Sequence, residues 1–517
     1  MDGNADTPGE DWGHFGRPLF DDPAARKLAR VGVVDVGSNS VRLVIFDGAA
    51  RSPAYFYNEK IMAALGAGVP ETGRLNPAGR ARALAAIKRF QLLARGMGLA
   101  PLTAVATAAV REAEDGAEFC DEVLAATGLK LWVIGGEEEA RLSAQGVLLG
   151  WPDASGMVCD IGGSSMELAE ITGGQVGTCV TSPLGPLRLQ TIRSKSARKA
   201  HIKEAIEGLV ARMHAHQDRL YLVGGSWRAI ARLDMERRGY PLHVLHEYRM
   251  TPKSVMETVK WIAQHDIAEL RARTGTSEAR MVLVPLACEV LKQLVRSLRP
   301  REIAVSSYGI REGMLYEQMP EALRRRDPLI EACRFAEAKD ARRAGFGKVL
   351  NKFLAPLFRA ESDGRKRIIK AACLLHDVSW RAHPDYRHEV CFDNATRANL
   401  GGLTHEARVF LGLALLHRYK NSREGTRFEP LFSLLSPRDL AQAEVLGKAM
   451  RFASMLAADD PAMMGELRWY PKKKLLELRL PTPARDLFGE VAEARFATLA
   501  AALGAEPVVR MQRKQAR

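Results

Sequence analysis

Cysteine is scarce in this sequence and is not arranged for cross-linking or metal binding. Seven cysteines are scattered over 517 residues and form no C-x-x-C pair. Neither a disulfide framework nor a structural zinc site is therefore indicated. We expect reduced, buried thiols, which are typical of a cytoplasmic protein.

Long hydrophobic runs are also missing. The nearest candidate, Val409–Leu416, is far shorter than the roughly 18 to 20 apolar residues that a membrane span needs. Met1–Asp22 is acidic and contains Gly and Pro, and it lacks the basic start and apolar run of a secretion signal. The sequence therefore predicts no membrane partner and no export, in agreement with a cytoplasmic location.

Acidic residues are in deficit. The sequence has 61 Asp and Glu against 75 Lys and Arg, which gives a formal net charge of +14. Such an excess attracts polyanions, among them nucleic acid, nucleotides, polyphosphate and anionic membranes. Composition does not choose among them, and a solvated basic surface explains the excess equally well.

The chain is long enough for about three domains of ordinary size. Residues 1–29 lack apolar periodicity and are predicted to be a flexible leader. Strand and helix patterns alternate over residues 30–149 and again over 150–319, which predicts two α/β lobes. From residue 320 to 517 helical periodicity dominates, and the late segment LRWYPKKKLLELRLP predicts a short strand pair.

A predicted buried strand delivers an acidic residue to a tight glycine turn in the segment DVGSNS. Gly37 lets a ligand approach backbone N–H groups, and such a nest binds phosphate. The acidic residue at the start of the turn could hold a metal ion or its water shell. An ordinary hairpin turn would explain the segment if it stood alone. The predicted phosphate-binding residues of this loop are Asp35, Gly37, Ser38, Asn39 and Ser40.

The same order of strand, acidic residue, Gly-Ser loop and strand returns in DIGGSSMEL, where Asp160 follows Asp35 by 125 residues. Two such loops facing each other can hold one phosphoryl group from both sides. The repeat therefore predicts a duplicated, two-lobed α/β core with a cleft between the lobes. The predicted phosphate-binding residues of the second loop are Gly162, Gly163, Ser164 and Ser165.

Two further segments offer charged side chains to such a cleft. In VATAAVRE a strand ends in small residues before Arg111, whose guanidinium could bind phosphate oxygens at the cleft floor. A surface or capping arginine is the alternative. In GGEEEAR three carboxylates open a helix, where the helix dipole favours them. Capping alone could explain all three, but the row also allows one of them to act as a general base in the cleft.

Two weaker signals remain. The glycine turn VGGSWR could supply a third phosphate or nucleotide contact through Gly224, Gly225 and Ser226, although tight strand–helix packing explains it better. His376 and Asp377 form a doublet on an apolar helix, and such doublets can bind divalent metals. We favour helix-surface or core polar residues for this doublet.

Together with SSYGIREGMLYE, these segments occur in an order and spacing that resembles the exopolyphosphatase and guanosine pentaphosphate phosphohydrolase family. The resemblance spans about residues 31–317. It implies a duplicated ribonuclease-H-like, actin-like core, as in the actin, sugar-kinase and heat-shock chaperone superfamily. The following helical region resembles the HD-like domain of longer members. Ala457 stands where that domain needs a late aspartate, although Asp459 is close, so the resemblance implies a structural, dimerising or substrate-guiding role.

The resemblance also implies roles for particular residues. Glu139, just before Ala-Arg, falls on the family's proposed base, and Arg111 falls on the arginine thought to hold the terminal phosphate. Asp160 and Glu167 are available for magnesium or its waters. The second loop has Ser164 and Met166 where glycine and threonine are common, so we expect slightly different or slower phosphate binding there. Lys60 receives no firm role.

The sequence as a whole predicts a cytoplasmic exopolyphosphatase that releases orthophosphate from the ends of inorganic polyphosphate, with Glu139 as base and Mg²⁺ as cofactor. We expect a homodimer without nucleic-acid or membrane partners. Hydrolysis of the 5′ γ-phosphate of guanosine pentaphosphate uses the same motifs and stays open. A non-catalytic polyphosphate or nucleotide sensor stays open too. An ATP-binding kinase or chaperone-like ATPase is expected from the superfamily, but the water-activating Glu139 without an evident sugar-type acceptor site argues for hydrolysis. Three basic segments could guide the polymer: Arg193–Lys203, Arg324–Arg326 and Arg365–Lys370.

Overall fold

The chain folds into two compact units, residues 1–327 and 328–517. The computed structural model describes residues 27–99, 101–213, 218–456 and 460–511. Most of the predicted leader lies outside the described residues, but its last three positions belong to the first strand, so the predicted boundary at residue 29 is wrong there. In the described part of the chain, no helix is both long and apolar enough to cross a membrane.

The first lobe of unit 1 is built on a five-stranded sheet of order β3-β2-β1-β4-β5. Its central strand carries the apolar run VGVVDV, and Val33, Val34 and Val36 are fully buried between neighbouring elements. The elements of this lobe are β1 (Lys27–Val36), β2 (Val41–Ala49), β3 (Ser52–Ile61), α1 (Val69–Thr72), α2 (Pro77–Gly96), β4 (Thr103–Ala106), α3 (Ala108–Glu112), α4 (Gly116–Thr127), β5 (Leu131–Val133) and α5 (Gly136–Gly150).

The second lobe repeats this plan in a six-stranded sheet of order β10-β11-β9-β6-β7-β8. In both lobes the first three strands are antiparallel to one another, and the fourth strand pairs in parallel with the first. The elements are β6 (Gly156–Ile161), β7 (Met166–Thr172), β8 (Gln175–Ser182), α6 (Pro186–Leu189), α7 (Lys195–Ala211), β9 (Arg219–Gly224), α8 (Gly225–Arg238), β10 (Tyr248–Met250), α9 (Pro252–Ile262), α10 (Ile267–Thr274), α11 (Glu278–Met281), α12 (Val284–Leu298), β11 (Glu302–Val305), α13 (Ile310–Gln318) and α14 (Glu321–Arg324).

A shared hydrophobic core joins the two lobes. Residues of both sheets pack in it against α5 and α13, including Val33 and Val44 from the first sheet and Val158 and Val223 from the second. The two helices cross so closely that a Cβ on Gly313 would lie 1.8 Å from the Leu142 carbonyl oxygen. This crossing fixes the first turns of both helices relative to each other, and both turns face the cleft described below.

Unit 2 is mostly helical and ends in a three-stranded sheet of order β12-β13-β14. The strand pair predicted from LRWYPKKKLLELRLP is confirmed as the antiparallel pair β12–β13. The elements are α15 (Pro328–Asp340), α16 (Phe346–Leu354), α17 (Asp363–Leu375), α18 (Arg387–Arg397), α19 (His405–His417), α20 (Pro437–Leu456), β12 (Glu466–Tyr470), β13 (Leu475–Leu480), α21 (Glu490–Ala502) and β14 (Glu506–Met511).

The helical unit starts later than the sequence predicts. Helix α14 lies beyond residue 319, yet Leu323 belongs to the core of unit 1. Arg51, which is fully buried in unit 1, donates from Nε to the Arg324 carbonyl at 3.1 Å. Helical periodicity therefore begins before the second core does, and the boundary falls at Asp327/Pro328.

Candidate active site

The two predicted glycine loops are β-turns of matching geometry. The Gly37 N–H donates to the Ser40 carbonyl at 3.0 Å, and the Gly162 N–H donates to the Ser165 carbonyl at 3.0 Å. Each turn joins the first two strands of its sheet, β1–β2 in one lobe and β6–β7 in the other. The strand–turn–strand prediction is thus confirmed for both segments.

The tips of the two turns meet. The Ser164 hydroxyl donates to the Ser38 hydroxyl at 3.1 Å, and a Cβ on Gly163 would lie 3.2 Å from the Ser38 Cβ. The first tip is held in place because the Gly66 N–H donates to the Ser38 carbonyl at 2.8 Å. The turns therefore stand opposite each other, as a pair gripping one ligand must.

A cleft of about 210 Å³ opens beside the two turns. Half of the lining residues are predicted site residues, but Arg111, Ser164 and Glu167 are not among them. The predicted residues that do line it are Asp35, Gly37, Ser38, Asn39, Ser40, Glu139, Asp160, Gly162, Gly163, Ser165, Gly224, Gly225 and Ser226.

The three carboxylates at the start of α5 have different surroundings. Glu137 pairs with Arg212 at 3.2 Å, and Glu138 accepts from Arg141 Nε at 2.9 Å. Glu139 instead is buried and lines the cleft. Burial, together with the nearby carboxylate of Asp160, raises the pKa of Glu139 to about 8, although Arg111 opposes the shift. A carboxylate so basic is well suited to take a proton from water.

Arg111 contacts the Glu139 carboxylate but does not itself line the cleft. Its Nη1 donates to the Ile134 carbonyl at 2.7 Å and lies 3.4 Å from Glu139 Oε2. Because the carbonyl fixes the guanidinium, the carboxylate is fixed as well. In this structure Arg111 therefore orients the candidate base.

Further carboxylates lie in the cleft and next to it. Burial raises the pKa of Asp35 and of Asp160, and the Ser143 hydroxyl donates to Asp160. Glu167, opposite Asp160 in the β6–β7 register, accepts from the Thr181 hydroxyl at 3.1 Å, but its buried Oε2 has no hydrogen-bond partner. Uncompensated carboxylate oxygens of this kind suit a divalent cation.

A complete ligand set for a metal is nevertheless not preformed. Among the described residues no group of three or more His, Cys, Asp or Glu is placed to hold a metal ion. Magnesium usually keeps several waters and binds through one or two carboxylates plus substrate phosphates. The half-buried Asp160 and the buried Glu167 thus fit Mg²⁺ only with water or phosphate oxygens completing its shell.

Five basic side chains line the cleft. None of them forms an ion pair within 4.0 Å in the part of the chain that the structure describes. Burial and neighbouring cations lower the pKa of Arg42 and of Arg228 to about 10 and that of Lys60 to about 8. Five cations against the three lining carboxylates Asp35, Glu139 and Asp160 leave positive charge in excess, which predicts a ligand with several negative charges. The five residues are Arg42, Lys60, Arg228, Arg280 and Arg311.

None of these basic residues has an assigned role in the prediction from sequence, although several lie in motifs that could have indicated one. Arg42 lies opposite Asp35 in the β1–β2 register, inside the first motif. Arg228 ends the segment VGGSWR and donates from Nε to the Gly224 carbonyl at 3.0 Å. Arg311 lies within SSYGIREG, at the start of α13. Arg280 has no local signal, because the fold of the second lobe alone brings it to the cleft.

The weak glycine turn is part of the cleft wall. Gly224 has a φ of 113°, in the region that favours glycine, and a Cβ there would lie 2.6 Å from the Ile161 carbonyl oxygen. Gly224 is therefore both tightly packed against β6 and part of the cleft lining.

The His376-Asp377 doublet belongs to unit 2, where Asp377 pairs with Arg342 at 2.6 Å. Ala457 and Asp459 lie outside the described residues.

Two sheets of matching plan with paired glycine turns define a duplicated, two-lobed α/β protein. Comparison with known families then identifies this chain more closely. It belongs to the Ppx/GppA phosphatase family, whose sequence model matches residues 44–322. Residues 348–508 match a second model, described as the exopolyphosphatase C-terminal domain. The resemblance found in the motifs is thereby confirmed.

Individual relatives are distant. Retrograde regulation protein 2 of Saccharomyces cerevisiae is 26% identical over 440 residues, covering 75% of this chain and 72% of the relative. Exopolyphosphatase 1 of Mycobacterium bovis is 25% identical over 304 residues, covering 56% of this chain and 88% of the relative. A crystal structure of an exopolyphosphatase from Cytophaga hutchinsonii superposes with a TM-score of 0.51 at 22% identity, covering 56% of this chain and 98% of that chain. This last likeness supports the fold.

Proposed function

We propose that this protein is an exopolyphosphatase that removes terminal phosphates from inorganic polyphosphate as orthophosphate. One observation carries the proposal: two matching phosphate turns, a buried basic carboxylate and five unpaired cations share a single cleft. The family and the relatives named exopolyphosphatase support the same activity.

In the proposed reaction the terminal phosphoryl group lies between the two turns. Glu139 accepts a proton from water while the water oxygen bonds to phosphorus, and the bridging P–O bond breaks toward the shortened chain. Arg111 keeps the Glu139 carboxylate in place. When bound at Asp160 and Glu167, Mg²⁺ would neutralise charge on phosphate oxygens. The basic side chains bind the next phosphates and stabilise the leaving end.

The cleft favours a phosphate chain over a nucleotide. No aromatic side chain is among the lining residues that the structure describes, so no ring is placed to stack on a purine. The five cations instead match a row of consecutive phosphates. The test is the initial rate of orthophosphate release from long-chain polyphosphate and from guanosine pentaphosphate, measured in parallel with Mg²⁺. A higher kcat/KM for the nucleotide would replace the proposed substrate.

Removal of magnesium is expected to abolish phosphate release, because the buried carboxylates would repel the anionic substrate. Asp160→Asn should raise the Mg²⁺ concentration needed for half-maximal activity by at least about tenfold. Asp121→Asn, at an exposed acid on α4, is the matched control and should leave it unchanged. Full activity of wild type in EDTA would contradict the role of the metal.

The lowered pKa of Lys60 predicts that its contribution to substrate binding depends on pH. Its pKa is lowered to about 8, so the ammonium is charged below that pH and is lost as the pH rises through it. The ratio of kcat/KM between wild type and Lys60→Arg is therefore expected to fall by roughly tenfold from pH 7 to pH 9.5. Using the ratio cancels the opposite effect of Glu139, which gains base character over the same range. A ratio that stays constant with pH would show that Lys60 does not contact the substrate.

A second candidate is a sensor that binds polyphosphate without hydrolysing it. The relative that aligns over 440 residues is named a regulation protein, and Ser164 at the tip contact stands where glycine is common in the family. Tight polyphosphate binding with no orthophosphate release by the folded wild type would favour this candidate. Ser164→Gly would then test whether the tip contact is what suppresses turnover.

A further inference from the structure

A group of basic side chains lies in unit 2, where the C-terminal ends of α15, α17 and α19 approach the start of α18. We call it the Arg418 cluster. It lies outside the cleft of unit 1 and has no part in the proposed hydrolysis. Its members are Arg342, Asp377, His388, Arg418, Tyr419 and Lys420.

The one carboxylate of the cluster is already neutralised. Arg342 binds Asp377 through two parallel contacts, Nε to Oδ2 at 2.8 Å and Nη2 to Oδ1 at 2.6 Å. This bidentate geometry occupies both carboxylate oxygens. The Asp377 carboxylate is therefore already bound by the Arg342 guanidinium, and a metal ion could bind Asp377 only by displacing Arg342.

Among the residues that the structure describes, none accepts a hydrogen bond from Arg418 Nε. Only 7% of the residue is exposed, and its buried Nε has no hydrogen-bond partner. Its guanidinium carbon lies 4.9 Å from the centre of the Tyr419 ring. That ring is fixed because its hydroxyl donates to the His376 carbonyl at 2.9 Å. Within the described residues Arg418 thus has an aromatic support but no hydrogen-bonded counter-ion.

A purely structural role does not account for this arrangement. Arg418 follows the last turn of α19, and the dipole of a helix favours a cation at that end. The dipole does not satisfy the buried Nε–H of the guanidinium, however, and burying an N–H group without an acceptor is costly. A bound anion would satisfy it.

The remaining charges of the cluster also favour an anion. Lys420 is partly exposed beside Arg418, and burial together with Lys420 lowers the pKa of His388. The neighbouring Glu389 opposes this shift, but its carboxylate is paired with Arg427 at 3.0 Å. Burial lowers the pKa of Arg418 as well, with Arg342 adding to the effect. Each cation of the cluster thus makes it less favourable for its neighbours to carry a positive charge. An oxyanion with several acceptor oxygens would relieve this repulsion.

We propose that the Arg418 cluster binds a phosphoryl anion. The anion is either a phosphate of a long polyphosphate chain or a free small phosphate, since both present the same oxygens to a guanidinium. The site is in unit 2, so its occupancy can be measured without turnover in the cleft.

Hydrogen–deuterium exchange of the full chain in EDTA tests the proposal, with orthophosphate, tripolyphosphate and long-chain polyphosphate as separate probes. We expect slower exchange in segments 417–420 and 341–343 with at least one probe. Protection by orthophosphate would identify a site for small anions, and protection by the long chain alone would identify a contact for the polymer. No protection of these segments by any probe would overturn the proposal.

Variants separate binding from stability. Arg418→Gln should weaken the protection so that about tenfold more probe is needed, which corresponds to the loss of one charged contact. Because a buried substitution can impair folding, Lys420→Gln at the partly exposed position is the second variant and should act in the same direction. Lys352→Gln, at an exposed lysine on α16, is the matched control. Unchanged probe dependence in folded Lys420→Gln and Arg418→Gln would contradict the site.

Discussion

Glu139→Gln is expected to lower kcat for phosphate release by about 100- to 10,000-fold, the usual contribution of a general base. The amide keeps the size of the side chain but cannot take the proton from water. Glu139 is buried in the cleft wall, and its pKa is raised to about 8, so proton transfer is its most evident role. Polyphosphate affinity should stay within a few-fold of wild type, because the cations of the cleft remain.

Glu138→Gln is the matched control for this prediction. Glu138 lies on the same helical turn, but its carboxylate accepts from Arg141 and does not line the cleft. Phosphate release by this variant should be close to that of wild type. A Glu139→Gln variant that retained more than about a tenth of the wild-type kcat would show that another group takes the proton.

Gly313→Val is expected to destabilise the first unit by about 3 kcal/mol or more, the upper range for overpacking a close contact. The added Cβ would lie 1.8 Å from the Leu142 carbonyl oxygen, and backbone cannot move aside as a flexible side chain can. Because α5 and α13 carry Glu139 and Arg311 into the cleft, activity should be lost although residue 313 lines no site. Thermal unfolding and phosphate release measure the two effects.

Gly208→Ala is the matched control for the glycine substitution. Gly208 lies in α7, where an added Cβ would meet no atom within 4 Å. Alanine is the better helix former, so this variant should be more stable by about 0.5–1 kcal/mol and fully active. If Gly313→Val unfolded at the wild-type temperature, the close helix crossing would not be what holds the lobes.

The part of the site that sequence could predict is the part made by local segments. Both glycine turns, their flanking strands and Glu139 are encoded within a few residues each, and a turn between two apolar strands has few alternative conformations. The repeat of the pattern at Asp35 and Asp160 also predicted the two-lobed core, because a duplicated unit folds in the same way twice.

The basic wall could not be predicted in the same way. Arg280 and Arg311 reach the cleft from α11 and α13, far along the chain from the turns they face, and only the second sheet and the α5–α13 crossing bring them together. The placement of Ser164 also depends on the other lobe, since its hydroxyl is turned to Ser38. The sequence places the start of unit 2 too early, because helical periodicity does not reveal which hydrophobic core a helix joins.

The proposed hydrolysis is tested most directly by incubating the purified full chain with Mg²⁺ and polyphosphate of one defined length. The lengths of the remaining polyphosphate chains and the amount of orthophosphate are then measured. We predict that orthophosphate accounts for every phosphate lost from the chains and that no internal fragments form, as removal from the ends requires. Tight binding of the chains by folded protein without any orthophosphate would contradict the proposed hydrolysis and leave a binding protein in its place.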